Sequence, residues 1–232
     1  MVEMATSGLT HRSVLLPGPA GNLEALFWDI SADAGAPRIA AVVCHPHPLH
    51  GGTMHNKVVY QAAKTLHRAG LAVLRFNFRG AGLSEGAHDG GRGEQDDVRA
   101  ALDFLADRFS GVPLLVAGFS FGAWVGLRVG CEDSRVMALA GLGMPVGSVD
   151  AAYVGSCAKP VLLVSGDHDQ FAPKGKLEAM VARFPARAKK RTQLALISGA
   201  DHFFTGHLDD LDRALSEWLA ARLAELPLPR RR

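Results

Sequence analysis

The stretch LLVAGFSFGAWVGLRVG, residues 114–130, decides the fold that this chain predicts. It begins with a short apolar run typical of a buried strand, and a serine then stands between two glycines in the pattern Gly118-x-Ser120-x-Gly122. The residues after Gly122 favour a helix. A strand, a sharp turn that carries a serine and a helix together predict an α/β protein with Ser120 raised at the end of a strand.

The same alternation of apolar runs and helical patterns extends outward in both directions. Because the apolar runs are too continuous for a sheet with one wet face, we expect strands that are buried on both sides. The fold class is therefore α/β: a mostly parallel, doubly wound sheet of about eight strands, with an N-terminal hairpin and helices on both faces. The predicted strands are residues 12–16, 23–28, 39–44, 71–76, 114–118, 136–142, 161–165 and 192–197, and the predicted helices are 56–69, 94–109, 121–129, 174–184 and 208–226.

The length of 232 residues predicts one domain, residues 12–226, between an N-terminal tail (1–11) and a basic C-terminal tail (227–232). Lysine and arginine total 25 and aspartate and glutamate 23, so the net charge is +2 and no basic stripe predicts nucleic-acid binding. No apolar run is long enough to cross a membrane, and the first residues do not resemble a secretory signal. The three cysteines favour a reducing compartment over a disulfide framework, so we expect a cytoplasmic protein.

Candidate partners for Ser120 follow later strands. A serine is a poor nucleophile at neutral pH unless a base accepts its proton and a carboxylate orients that base. The runs 161–165 and 192–197 lead into GDHDQFAP and SGADHFF, which contain aspartates and histidines in the order acid, then base. His168 lies too close in sequence to its neighbouring carboxylates to be oriented well, and His207 begins the last predicted helix, so His202 is the favoured base.

The loop HPHPLHGGTMHN, residues 45–56, follows another predicted strand and is the expected source of an oxyanion donor. Pro46 and Pro48 have no N–H, so His47 supplies the donor between them, and Phe121, after the serine, supplies the second. The loop histidines His45, His47, His50 and His55 could instead bind a metal, but alternating prolines make a poor rigid ligand set, and we predict no metal and no cofactor.

These motifs resemble those of the alpha/beta-hydrolase superfamily along nearly the whole chain. The string H-P-H-P-x-x-G-G-x-M-x-N and the turn R-G-x-G-x-S at residues 79–84 are similar to a subgroup of small, uncapped bacterial hydrolases related to dienelactone hydrolases. The resemblance implies an acid in G-x-x-D-x-x-x-P, which selects Asp169 over Asp167, and a histidine in G-x-x-H, which is His202. We expect Asp167 to hydrogen-bond its own turn. The subgroup has aspartate where this chain has His55, so no role transfers to that position.

The short connection at residues 143–160 leaves no room for the helical lid that larger hydrolases of this resemblance insert. An open site favours small substrates. The apolar residues of the top loops are the candidate substrate-binding residues: Leu49, Met144, Val146, Phe171 and Phe203. For Phe121 and Phe203, packing in the core is an equally good interpretation.

The sequence therefore predicts a serine hydrolase (a carboxylesterase) that cleaves short-chain carboxylic esters through an acyl-enzyme, with Ser120, His202 and Asp169 as the triad. Thioesters, lactones and peptides remain alternative substrates for the same machinery, and a non-catalytic ligand receptor on the same fold is the alternative outside enzymes. The predicted partner is a small ester, with no nucleic acid and no membrane. A homodimer stays open.

Overall fold

The computed structural model describes residues 11–30 and 37–225 of the chain. Most of the two predicted tails lies outside these residues, as does position 226, the predicted end of the last helix. His11, which we expected in the N-terminal tail, is the first residue of a strand.

Eight strands form one sheet in the order β1-β2-β4-β3-β5-β6-β7-β8. The predicted N-terminal hairpin is confirmed, since β1 and β2 pair antiparallel, and β2 also pairs antiparallel with β4. All remaining neighbours are parallel. The strands are β1 His11–Gly18, β2 Gly21–Trp28, β3 Ala40–Cys44, β4 Ala72–Phe76, β5 Leu114–Phe119, β6 Val136–Leu142, β7 Val161–Gly166 and β8 Thr192–Ile197.

The helices cover both faces of the sheet, as the alternation predicts. Every residue of the central strands β3, β4 and β5 is buried, because each strand packs against helices on both sides. Side chains of α2 and α3 complete the apolar core on one face, and those of α1 and α6 complete it on the other. The helices are α1 Lys57–Arg68, α2 Gly93–Arg108, α3 Phe121–Glu132, α4 Lys174–Ala182, α5 Ala186–Arg191 and α6 Leu208–Ala224.

The predicted helix at residues 174–184 is wrong in its C-terminal part. α4 ends at Ala182, and the short helix α5 begins directly after Pro185. Proline has no N–H and its ring clashes with the preceding turn, so the helix cannot run through it, but proline is well suited to the residue before a new helix. The predicted helix therefore ends two residues too late, at position 184, and α5 was not predicted.

The connection between β6 and β7 contains only the 3-10 helix Ala152–Ser156. Residues 143–160 are all described, and they form no cap over the carboxyl edge of the sheet, as the sequence predicts. The loops after β3, β5, β7 and β8 therefore meet at an open edge. Among the described residues, no helix has the length and apolar character that crossing a membrane requires.

Candidate active site

Ser120 lies between β5 and α3 in a backbone conformation that L-residues rarely adopt, with φ 54° and ψ −119°. Such a conformation costs about 1–3 kcal/mol and persists only where the surrounding structure enforces it. Here the Ser120 N–H donates to the carbonyl of Leu142 on β6 at 2.8 Å, and the Ser120 carbonyl accepts from the N–H groups of Ala123 and Trp124. The turn raises the Ser120 hydroxyl above the strand ends.

The glycines on either side of this turn are required by close approach of the backbone. A β-carbon on Gly118 would lie 2.3 Å from the Gly122 carbonyl oxygen, and one on Gly122 would lie 2.4 Å from the His45 carbonyl oxygen. Neither neighbour is a flexible side chain that could move aside. The G-x-S-x-G pattern therefore has a steric cause: only glycine lets strand, turn and helix pack this closely.

A continuous chain of hydrogen-bonding groups joins three side chains from three loops. His202 Nε2 lies 3.0 Å from Ser120 Oγ, and His202 Nδ1 lies 2.8 Å from Asp169 Oδ2. The imidazole and the carboxylate are enclosed, because His202 and Asp169 are each only 3% exposed. The structure thus brings together the serine, histidine and aspartate that the sequence predicts.

The Asp169 carboxylate is held by further donors. Its Oδ1 accepts from the N–H groups of Phe171 and Ala172 at 2.8 and 2.9 Å, and Ser165 Oγ lies 3.3 Å from Oδ2. These contacts leave Oδ2 turned toward His202. A buried carboxylate with this many donors stays in one orientation, and it keeps the imidazole Nδ1–H pointing at itself.

The rival residues are directed elsewhere. Asp167 Oδ1 accepts from the Gly199 N–H at 2.7 Å, so it ties its turn to the loop after β8 and does not close its own turn as we expected. The two loops run side by side, because β7 and β8 are neighbours, and this proximity is invisible in the local sequence. His168 projects into solvent, and His207 Nδ1 lies 2.9 Å from Asp210 on the first turn of α6.

The residues that carry the two predicted oxyanion donors, His47 and Phe121, line the same cavity as Ser120. Phe121 is the first residue of α3, and the rings of His47 and Phe121 are 5.0 Å apart. The candidate donor, the His47 N–H, shares its peptide with the Pro46 carbonyl, which lies 2.6 Å from His45 Nδ1, and the next peptide is held by the N–H groups of His50 and Gly52 on the His47 carbonyl. In the described part of the chain, no acceptor engages the N–H of His47 or of Phe121.

The histidines of residues 45–56 do not converge on one point. His45 is buried, and its two ring nitrogens contact the Phe78 N–H and the Pro46 carbonyl. His47 and His50 stack with ring centroids 4.4 Å apart, whereas His55 lines a different cavity beside β2 and β4. Within residues 11–30 and 37–225, no group of three or more His, Cys, Asp or Glu side chains could hold a metal ion.

Burial, and then the nearby rings of His50 and His88, lower the pKa of His47. His88 was not a predicted site residue; its Nδ1 lies 2.7 Å from the buried Glu94 carboxylate, without the alignment of a hydrogen bond. Its ring is 4.7 Å from that of His47. No local motif marks His88, because it arrives from a loop that precedes α2.

A cavity of about 260 Å³ opens beside Ser120. Two of the five predicted substrate-binding residues, Phe171 and Phe203, are in its wall. The others are not: Met144 is buried in the core, Leu49 is 70% exposed on the outside of its loop, and Val146 lines a neighbouring cavity. The lining residues that sequence reasoning missed are Pro46, His50, Gly51, Gly52, Asn56, Pro145, Ser148 and Val149.

Aromatic rings surround the His202 imidazole. The rings of Phe119, Phe171 and Phe203 have centroids 5.0, 4.7 and 5.2 Å from that of His202. They exclude water from the ring and hold its plane. Phe119 was missed, and the available signal was its place between Gly118 and Ser120, directly beneath the nucleophile.

Comparison with known proteins identifies the family. Residues 40–220 match the model of an alpha/beta hydrolase domain. A serine hydrolase homologue from Coxiella burnetii is 37% identical and superposes with a TM-score of 0.82 over 90% of this chain and 97% of its own. A lidless alpha/beta serine hydrolase from Xanthomonas campestris is 33% identical, with a TM-score of 0.83 over 94% of this chain and 97% of its own.

An uncharacterized protein of Rickettsia prowazekii is 35% identical over 208 residues, which cover 87% of this chain and 86% of that protein. The chain belongs to the alpha/beta hydrolase family, and its fold is that of the members without a lid.

Proposed function

We propose that this protein is a serine hydrolase that cleaves short-chain carboxylic esters through an acyl-enzyme intermediate. The single observation that carries the proposal is the hydrogen-bonded chain from Ser120 Oγ through both ring nitrogens of His202 to Asp169. A buried acid, an imidazole and a strained serine in this order can generate an alkoxide-like nucleophile at neutral pH.

In the proposed reaction, Ser120 Oγ attacks the ester carbonyl carbon while its proton passes to His202 Nε2. Asp169 stabilises the imidazolium that forms. The tetrahedral oxyanion accepts hydrogen bonds from the N–H groups of His47 and Phe121, and the start of α3 adds partial positive charge. His202 then returns the proton to the departing alcohol. A water molecule, activated by the same ring, hydrolyses the acyl-enzyme and regenerates Ser120.

The proposal favours small ester substrates because the cavity beside Ser120 is small and is walled largely by apolar and aromatic side chains. No lid is present in residues 143–160 to cover a long chain. The nucleophile is a serine hydroxyl, which suits carboxylic esters. Thioesters, lactones and peptides enter the test below as comparison substrates.

A fluorophosphonate probe tests the proposal, because it phosphonylates an activated serine. We expect one labelled site in the wild type and none in Ser120→Ala. Ser148→Ala is the matched control: Ser148 lines the same cavity, but its hydroxyl bonds only the Pro145 carbonyl at 3.3 Å, so labelling should persist. A folded wild type that takes up no label would favour a non-catalytic receptor. Turnover of p-nitrophenyl esters, compared with matched thioesters, lactones and peptides, then identifies the substrate class.

A further inference from the structure

Arg75, on β4, is a buried cation that has no acidic partner among residues 11–30 and 37–225. It is 3% exposed, yet no carboxylate among the described residues forms an ion pair with it. Burying a guanidinium without a counter-charge is unfavourable, and proteins ordinarily pair such groups. By contrast, Arg79 of the following turn forms a bidentate pair with Asp97.

The contacts of the Arg75 guanidinium leave one side available. Nη1 donates to the Met54 carbonyl at 2.8 Å, and the group lies over the rings of Trp28 and Tyr60, at 4.7 and 5.3 Å from their centroids. Nε is enclosed, and no described residue accepts a hydrogen bond from it. Nη2 makes no hydrogen bond within the described residues and is not enclosed by protein atoms. Burial lowers the pKa of Arg75, consistent with the missing counter-charge.

A cavity of about 260 Å³ lies beside this guanidinium. Its walls are Arg75, the rings of Trp28 and Tyr60, Leu26, and two exposed histidines, His11 and His55. None of the described residues in these walls is acidic. The Trp28 Nε1–H is enclosed by protein atoms and also has no acceptor within the described residues.

We propose that this cavity binds a small organic carboxylate, whose anionic oxygen accepts from Arg75 Nη2. A carboxylate supplies the missing counter-charge, and guanidinium groups match its planar geometry. The flat apolar walls formed by Leu26, Trp28 and Tyr60 suit an apolar or aromatic body on the same molecule. The volume limits that body to roughly the size of a benzoate ion, since the pockets that hold drug-sized ligands measure about 300–1,000 Å³.

The site is separate from the cavity beside Ser120, and the two share no lining residue. They are connected through the backbone of one loop. Arg75 Nη1 donates to the Met54 carbonyl, and Asn77 Oδ1 accepts from the Met54 N–H. Met54 belongs to the same loop as His47. A carboxylate on Arg75 would therefore bind next to the segment that carries a candidate oxyanion donor, without entering the catalytic cavity.

The side chain at position 55 offers a direct test. His55 follows Met54, whose carbonyl Arg75 contacts, and both His55 and Arg75 line the cavity. His55→Asp would place a permanent carboxylate at this cavity and compete with an external one. His55→Asn is the matched control, because it has nearly the same shape as aspartate and no charge. Neither His55 nor Arg75 belongs to the proposed catalytic machinery.

NMR of protein labelled in its tyrosine rings provides a local readout, since the chain has only two tyrosines, Tyr60 and Tyr153. Tyr60 lines the proposed site, and Tyr153 lies elsewhere, with its hydroxyl on the Trp124 carbonyl, so it is an internal reference. Sodium benzoate is titrated at constant ionic strength, with inorganic phosphate and chloride as separate arms.

We expect benzoate to shift the Tyr60 signal saturably in the wild type and in His55→Asn, and to leave Tyr153 in place. His55→Asp should lose the response by at least tenfold in apparent affinity; His55→Glu replaces it if that variant does not fold. An unchanged Tyr60 signal, or full binding by the acidic variants, overturns the proposal. A response to phosphate but not to benzoate overturns the choice of a carboxylate. Because the readout is binding and not turnover, the result is independent of whether the protein hydrolyses esters.

Discussion

His45 and His202 are both buried imidazoles in loops at the carboxyl edge of the sheet, yet their surroundings suit opposite roles. The two ring nitrogens of His45 contact backbone groups: Nε2 accepts from the Phe78 N–H at 2.9 Å and Nδ1 lies 2.6 Å from the Pro46 carbonyl. Those of His202 face a carboxylate and a serine hydroxyl. His45 keeps its partners only while its ring is neutral, whereas Asp169 stabilises a ring that has taken up a proton.

Burial alone does not make a histidine a general base. A general base must accept a proton from its substrate and tolerate the charge that results. On protonation, His45 Nε2 could no longer accept from the Phe78 N–H, and the ring would carry an unpaired buried charge. The neutral His45 ring holds Phe78 and the start of the loop of residues 45–56 in place. His202 has a compensating acid on one side and a proton donor on the other, which is the arrangement that proton transfer requires.

The largest expected effect is the loss of turnover when the nucleophile is removed. Ser120→Ala leaves His202 with its acid and without a proton donor. We expect kcat for p-nitrophenyl acetate to fall on the order of 10⁶-fold, with only the oxyanion donors and substrate binding contributing residual rate. Steady-state kinetics and a melting curve provide the measurement. A folded variant that keeps more than about a tenth of the wild-type rate would remove Ser120 from the mechanism.

The next largest effect concerns the carboxylate that distinguishes the two rings. Asp169→Asn keeps the shape of the side chain and removes the charge beside His202, and we expect a loss of about 10⁴-fold in kcat. Asp167→Asn is the control, because Asp167 contacts the Gly199 N–H and not His202, so its loss should be much smaller. If the two variants ranked in the opposite order, Asp167 would be the acid.

The comparison also separates what the sequence could predict from what it could not. Ser120, Asp169 and His202 each follow a parallel strand of the same sheet, so chain order narrowed the candidates, and the resemblance to alpha/beta-hydrolase motifs selected Asp169 over Asp167. The partner of Asp167 lies 32 positions away on a neighbouring loop, and the burial of Met144 depends on how several elements pack. Such long-range contacts have no local pattern. The short helix α5 is an exception, since Pro185 directly before it is a local signal for a helix start and was not used.

A smaller effect should appear in stability, and it should come in part from His45. Burial lowers the pKa of His45 to about 4, whereas the same ring in the unfolded chain titrates near 6.5. Between these values the unfolded state binds a proton that the folded state does not, so stability falls as the pH falls. The contribution present at pH 7 should decrease by about 3 kcal/mol on going to pH 4.

Urea unfolding at several pH values, in wild type and in His45→Gln, isolates this contribution from that of the carboxylates. Glutamine offers a donor and an acceptor but does not titrate, so the difference between the two proteins should narrow as the pH falls from 6.5 to 4. A difference that stays constant over this range would show that His45 is not the neutral structural ring described above.

The smallest expected effect is on acyl-chain selectivity. It depends on the cavity between the loop of residues 45–56 and the loop that carries His202. His47 and His50 from one loop, and His202 and Phe203 from the other, wall the cavity of about 260 Å³ beside Ser120. Each methylene that is buried there contributes about 0.8 kcal/mol, or roughly fourfold in kcat/KM. The gain should stop once the chain leaves the cavity, so among p-nitrophenyl esters we expect an optimum between acetate and hexanoate, with decanoate clearly poorer.

An optimum at decanoate would require a longer groove, and the structure has one candidate for it. A second cavity, of about 500 Å³, lies between the segment that follows β6 and helix α4, and it shares Val149 with the cavity beside Ser120. Val149→Trp should obstruct passage between the two. If the acyl chain ends in the first cavity, this variant should change the hexanoate-to-decanoate ratio of kcat/KM by less than about twofold. A selective loss on decanoate, with acetate unaffected, would instead show that long chains cross Val149 into the second cavity, and the substrate class would then extend beyond short esters.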